Sequence, residues 1–296
     1  MSAETVGDFD PCLDEPITGN FGGSNAYAEQ PAHVRLVCWN IERGLRLPAV
    51  ADALGGPLRS DVCVLQEVDL HTRRTGFRNI PEELARRLGM NYAFGPEFEE
   101  LAQGGSPRRP LHGQAVLSRL PMGSERVLRF ENQPHDWGPW WKPRLACLQP
   151  RRGGRIALVV EIGWANSAIT IYNTHLESKT DDSGGALQME EILRDMRNRY
   201  GPQTPVVVAG DLNTAEGARS PVVAGLLAAK FRDVFEGEPH PPGTSVRSAE
   251  RLDWVFVRNL TFWDARVHRL EITDHFPLTV SIATSETAAW NRRGLR

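Results

Sequence analysis

The chain predicts an α/β (α+β) fold in which packed β-sheets are flanked by helices within one domain. Three observations carry this expectation. Nine apolar runs of strand length recur between residues 34 and 283, amphipathic helical stretches fall between only some of them, and no fixed-period repeat or low-complexity linker divides the chain. A chain of 296 residues, 41% hydrophobic and 24% charged, can bury a sizeable core, which excludes a disordered or fibrous protein.

Residues 1–33 are rich in Gly, Asn, Pro and acids without periodicity, so they read as an extension that wraps or frays. Strands are expected at 34–39, 61–66, 114–118, 144–149, 155–164, 168–174, 205–209, 252–258 and 276–282, where β-branched residues sit between turn-rich borders. The first two helices are short: Pro48 to Leu54, closed by Gly55-Gly56, and Pro81 to Leu88, closed by Gly89. Residues 186–200 place Met189, Ile192, Leu193, Met196 and Tyr200 on one helical stripe, and Ser220-Pro221 is a cap followed by proline at the first helical position. Segments 99–112, with Arg108-Arg109, and 131–143, with Trp137, Trp140 and Trp141, read as loops. For these tryptophans, core or loop packing is preferred over a base-stacking platform. Residues 285–296 look like a tail, leaving 34–284 as the domain.

Charge and cysteines bound the function. With 34 basic residues against 37 acidic, the net charge of −3 supplies no broad basic face, so any polyanion must be held locally. The N-terminus lacks a positive segment followed by an apolar one, and no run of about 18 apolar residues exists, so a cytoplasmic protein without a membrane segment is expected. Cys38, Cys63 and Cys147 lie in strand-like runs, where a free thiol behaves as a small buried hydrophobe.

The informative feature is polar. Strand 34–39 runs into Asn40-Ile-Glu42, 61–65 into Gln66-Glu67, 169–174 into His175, and 206–209 into Gly210-Asp211-Leu-Asn213. Two later strands open on Arg251-Leu-Asp253 and Thr273-Asp274-His275. Strand ends are rigid points with free neighbours, which is where catalytic groups are best held. Carboxylates beside Asn offer hard oxygen ligands suited to Mg²⁺ or Mn²⁺, whereas the scattered cysteines and the lack of a His-x-x-x-His pair give no zinc signal. Two histidines with Asp211, Asp253 and Asp274 could orient water and move a proton, which is the equipment of a phosphoester hydrolase. The Gly-rich phosphate loop and the nucleophile elbow are both missing from the sequence.

Taken in order, Asn40-Ile-Glu42, Gln66-Glu67, Asn173-Thr-His175, Gly210-Asp211-Leu-Asn213, Arg251-Leu-Asp253 and Thr273-Asp274-His275 resemble the endonuclease/exonuclease/phosphatase superfamily. The resemblance implies a four-layer αββα sandwich, two mixed sheets face to face with helices outside, and metal-dependent hydrolysis of phosphodiesters or phosphomonoesters. It also implies roles. Glu67 is similar to the principal metal ligand, with Asn40 and Glu42 beside it and Asp274 binding or bridging. Asp211 and Asn213 resemble the pair that aligns the attacking water and contacts the phosphate, and His275, oriented by Asp253, resembles the histidine that stabilises the transition state. His175 places the chain nearer the deoxyribonuclease-like, histidine-containing branch than the abasic-site endonucleases, and Asn173 to Ser178 is similar to the tyrosyl-DNA phosphodiesterase type. Arg73 to Gly76 and Gln114 to Arg119 resemble substrate-facing loops, so Arg73 and Arg119 join Asn213 as expected substrate contacts.

The bland alternatives are a satisfied core histidine for His175 and a surface partner of Arg43 or Arg46 for Glu42. His33, His71, His112, His135, His240 and His268 read as structural. The leading expectation is a Mg²⁺-dependent phosphodiesterase, Mn²⁺ substituting, with DNA or RNA slightly favoured as substrate. A phosphomonoesterase of an inositol or sugar phosphate is the second reading and an inactive binding module of the same fold the third. No protein partner can be inferred. Glu42, Glu67, Asp211, Asp253 and Asp274 contribute −5 of the net −3, leaving the remainder at +2, so the acid surplus is concentrated where a divalent cation should sit.

Overall fold

Two mixed sheets pack face to face at the centre of the molecule. The structure is a computed structural model that describes residues 13–22, 31–105, 107–133, 150–164, 167–178, 182–214 and 217–284. The larger sheet runs β1 (Ile17–Gly19), β4 (Asn91–Glu100), β5 (Leu111–Ser118), β3 (Val62–Leu70), β2 (Val34–Arg43), β14 (Leu278–Ala283), β13 (Thr261–Val267), with β7 (Arg151–Gly153) also pairing β4. The smaller runs β11 (Arg232–Asp233), β12 (Asp253–Arg258), β10 (Val206–Asp211), β9 (Ser167–His175), β8 (Ile156–Trp164), β6 (Met122–Arg129). Among the described residues, only β2–β3 and β9–β10 are parallel pairs.

Alternation along the strands divides the apolar residues into three layers. Cys38, Val64 and Val116 face Ile171, Ala209 and Val255 between the sheets. The outer face of the larger sheet is covered by helices Leu47–Gly55 and Ile80–Leu88 through Val50, Leu54 and Leu84, and that of the smaller by helices Asp182–Arg199 and Pro221–Ala228 through Ile192, Met196 and Leu226. This is the four-layer sandwich that the resemblance implied. The caps work as expected: Ser220 Oγ accepts from Val222 N at 3.2 Å, and Gly89 closes its helix at φ +61°.

Several strands depart from expectation. β2 and β3 run on to Arg43 and Leu70, so Asn40, Glu42 and Glu67 lie inside strands. Six strands, β1, β4, β6, β7, β11 and β13, have no counterpart among the apolar runs. β4 (NYAFGPEFEE) carries Gly95-Pro96, which reads as a turn; here Gly95 lies under Ile156 and Leu158 of the facing sheet, and a bulge follows between Pro96 and Phe98. β6 and β13 are partly exposed edge strands with irregular register, so no apolar run marks them. The extension at 1–33 contributes β1, which pairs Ile17–Gly19 with Tyr92–Phe94. Segment 99–112 holds the ends of β4 and β5 joined through a 3₁₀ turn at Leu101–Gln103. The expected strand 144–149, the three loop tryptophans, Cys147 and the tail lie outside the described residues. Cys38 and Cys63 are free and buried, and among the described residues no helix is long and apolar enough to cross a membrane.

Candidate active site

The polar residues continue the alternation of the inter-sheet core. Cys38, Val64, Ile171, Ala209 and Val255 face the gap between the sheets, and two residues along the same strands stand Asn40, Gln66, Asn173, Asp211 and Asp253. His175 extends the β9 series by another step, in register with Asp211. One end of the sandwich therefore exchanges its apolar filling for a polar one. The two sheets are strapped there by Gln66 Nε2 donating to Asn173 Oδ1 at 2.7 Å and by Asn173 Nδ2 donating to the carbonyls of Leu65 and Ala115, both at 2.9 Å.

Backbone irregularities aim the site. Register breaks between Asn40 and Arg43 in β2 and between Leu65 and Val68 in β3. Inside these bulges Glu42 and Glu67 adopt φ +48° and +49°, and Asn213, just past β10, adopts φ +48°. Left-handed backbone at non-glycine residues costs free energy and clusters at functional sites. Gly210 must be glycine, since at φ +150° a Cβ would stand 1.8 Å from Thr174 O.

Asp211 is the hub. Its Oδ2 accepts from Asn40 Nδ2 at 3.2 Å and lies 3.5 Å from His175 Nε2 and 3.7 Å from His275 Nε2, while Oδ1 accepts from Asn213 N at 3.1 Å. Burial pushes its carboxyl up, against the pull of His275 and with the push of Asp253, to about 7. Behind His275, Nδ1 meets Asp253 Oδ2 at 2.7 Å. Burial would drive this imidazole down, but the charges of Asp253 and Asp211 and the Asp253 hydrogen bond carry it up to about 10. Trp39 Nε1 donates to His275 O at 2.9 Å, and Thr244 Oγ1 accepts from Asp253 N at 2.9 Å, so both members of the pair are fixed from their backbones. His175 goes the other way: burial first, then Arg155, His112, His275 and Arg151, hold it well below the ordinary histidine range.

Glu67 forms the second corner, its side chain 22% exposed and 3.7 Å from Arg43 Nη1. Burial favours its neutral form, yet the charges of His112 and Arg43, a hydrogen bond from Asn40 and the charge of His275 outweigh it and keep the carboxylate ionised. Asn40 thus helps hold Glu67 ionised while donating to Asp211. These hard oxygen donors fit a divalent cation of the Mg²⁺ class. Asp211, Asp253 and His275 also present ligand atoms within 4.8 Å of one another. There the fit is poorer, because His275 is held protonated and is already bonded to Asp253, and a cation would displace that proton.

Not every expected residue joins the cluster. Asp274 faces Arg247 at 3.4 Å on the rim and reaches the site only as a charge near His275. Glu42 donates its backbone N–H to Asn40 Oδ1 at 3.1 Å; Arg43 pairs with Glu67 and Arg46 with the carbonyls of Glu271 and Ile272, so the surface pairing weighed for Glu42 is not made. Arg73 lies in the loop after β3, donating to Ala102 O at 3.0 Å. Arg119 is not brought to the cluster either. It follows Ser118, which pairs with Val62 at the start of β3, so it sits at the opposite end of the sandwich, holding Leu88 O and Ser60 O. Sequence reasoning treated Gln114 to Arg119 as one substrate-facing segment, whereas only its start, at Gln114 and Ala115, lies beside the β3 bulge. Thr244 and Trp39, which anchor the His275–Asp253 pair, went unnoticed because neither carries chemistry of its own.

A family model described as the endonuclease/exonuclease/phosphatase family matches residues 37–275, spanning both corners. The chain belongs to this family. No curated protein matches it in sequence. Among solved structures, the human Nocturnin catalytic domain with bound sulfate is similar at 16% identity and TM-score 0.64, over 91% of this chain and 97% of that one. An endonuclease/exonuclease/phosphatase protein from Beutenbergia cavernae matches at 18% identity and TM-score 0.63, over 86% of this chain and 72% of that one. A humanized D. rerio TDP2 matches at 17% identity and TM-score 0.60, over 86% of this chain and all 100% of that one. At such identities the likeness is one of fold.

Proposed function

We propose that this family member hydrolyses a phosphodiester bond by attack of an activated water, with Mg²⁺ as cofactor and Mn²⁺ able to replace it. The observation that carries the reading is one carboxylate, Asp211, poised near 7 between a cationic and a neutral histidine. Asp211 takes the proton of the attacking water, and Asn213 positions the phosphate. His275, cationic and locked by Asp253, faces the charge that develops on the phosphate and returns a proton to the leaving oxygen. His175, neutral, offers a hydrogen bond without adding charge. Glu67, with Asn40 and the neighbouring Glu42, would hold the metal, which when bound neutralises charge on the phosphate and leaving oxygen.

A diester is favoured over a monoester because the second negative charge of a monoester needs further cations, and Arg43, the guanidinium beside Glu67, is already paired with it. Nucleic acid keeps a modest lead among diesters: the 73–75 and 101–103 turns join through Arg73 to Ala102 O and Arg74 N to Gln103 Oε1, an arginine-bearing pair of turns that follows β3, the strand carrying Glu67. The cytoplasm suits the buried free thiols Cys38 and Cys63. The test compares bis(p-nitrophenyl) phosphate with p-nitrophenyl phosphate, which share a leaving group, in Mg²⁺ and in Mn²⁺, followed by single- and double-stranded DNA and RNA. Faster monoester cleavage would hand the site to the phosphomonoesterase reading, and no turnover with either metal would leave a binding module.

A further inference from the structure

Across the larger sheet from His275, which precedes β14, strands β3 and β5 carry ionisable groups that the mechanism above does not use. β3 and β5 pair Asp69 with His112. On β5, Val116 belongs to the inter-sheet core and Gln114 Nε2 donates to Ile156 O across the gap at 3.2 Å, so two residues further His112 also faces the gap. Gly113 beside it allows the backbone contact with β4, since a Cβ there would lie 2.0 Å from Gly95 O.

The ring is fixed on one side only. His112 Nδ1 meets Asp69 Oδ1 at 2.8 Å, the same arrangement as His275 on Asp253. Asp69 is itself clamped by Thr72 Oγ1 at 2.6 Å and by Arg74 through two bonds of 2.6 and 2.7 Å, and Arg74 continues to Glu100 at 3.2 Å. Asp69 is fully buried and His112 is 3% exposed. Buried ionic chains of this kind are costly to fold, and a packed apolar wall would serve stability as well. Nδ1 being engaged, Nε2 is the one ring nitrogen left for a ligand.

We propose that His112, oriented by the Asp69–Arg74 clamp, is a third histidine of the active site and gives its Nε2 hydrogen bond to a non-bridging oxygen of the substrate phosphate. β5 lies next to β3, the strand that carries Glu67, so His112 flanks the Glu67 corner, and its charge acts on both Glu67 and His175. This assignment rests on the phosphoester reading of the same site.

The experiment follows the histidine ring resonances of the Mg²⁺-loaded protein while inorganic phosphate is added, with His112 and His275 assigned from His112→Gln and His275→Gln. Saturable shifts at both rings support the proposal. A shift at His275 with none at His112 overturns it and leaves the phosphoester site standing, whereas no shift at either ring removes both. In parallel, His112→Gln should raise KM for bis(p-nitrophenyl) phosphate by about 10-fold or more with kcat lowered less. Asp69→Asn should act in the same direction, and Mg²⁺ affinity by calorimetry should stay within about 3-fold of wild type. Unchanged KM in a folded His112→Gln protein would also overturn the assignment. Because Arg74 and Thr72 still satisfy Asp69 without the imidazole, the fold is expected to survive the substitution.

Discussion

His175 and His275 approach the same oxygen, Asp211 Oδ2, at 3.5 and 3.7 Å, yet their environments drive them in opposite directions. Both are buried, and burial alone would lower both. Behind His275 stands Asp253 at 2.7 Å, which with Asp211 lifts it to about 10; the charges of Arg155, His112, His275 and Arg151 depress His175 further. Identical side chains a few ångströms apart become a cation and a neutral donor because of what lies behind each.

That contrast can be broken most severely at the cationic member. His275→Ala should lower kcat/KM by about 10³-fold, whereas His175→Gln, which keeps a neutral donor, should cost only about 10-fold. Steady-state rates of the two folded variants decide it; equal losses would mean that the difference in charge has no catalytic weight. Next in size, Asp253→Asn removes the carboxylate that holds His275 up, so its titration should fall from about 10 toward the ordinary imidazole range and kcat by about 10²-fold. Ring titration by NMR measures the first and rates the second, and an unmoved His275 would refute the cause assigned to its shift.

The pH profile sharpens the same picture with a smaller excursion. Asp211 must be ionised to accept a proton, so kcat/KM should rise with pH through about 7. His275 must be protonated, so the rate should fall as pH climbs through about 10. A rate still rising at pH 11 would exclude a protonated His275 from the working enzyme. The smallest effect is expected at Arg119→Ala, which lies at the far end of the sandwich: KM should not change, while lost hydrogen bonds to Leu88 O and Ser60 O should cost about 1–2 kcal/mol of stability in denaturant unfolding. A KM effect there would contradict the geometry.

Much of this was legible because two periodicities coincide. Val207, Ala209 and Asp211, or Val257, Val255 and Asp253, share the two-residue alternation of a strand, so apolar runs ending in a polar residue of the same parity mark one face and one end of a sheet. Three kinds of information were not in the runs. The bulges at Glu42 and Glu67 flip local parity and allowed β2 and β3 to continue past residues that looked like strand ends. β4 hid behind Gly95-Pro96, and with it the strand whose Glu97 pairs with Arg155 and whose Glu100 pairs with Arg74. His112 looked like one more isolated histidine, because Asp69 lies 43 positions earlier in the chain.

The sequence by itself determined the set of chemical groups, the family and the layered architecture, since each depends on local pattern and order along the chain. Only the tertiary structure decided the protonation states and the neighbours. A carboxylate near 7, a histidine near 10 and another held neutral differ through burial and through charges contributed by other strands, and Coulomb interactions act on distance in space rather than on separation in sequence. The same reason removed Arg119 from the site and placed His112 beside it: antiparallel pairing sends the two ends of β5, only seven residues apart, to opposite ends of the sandwich.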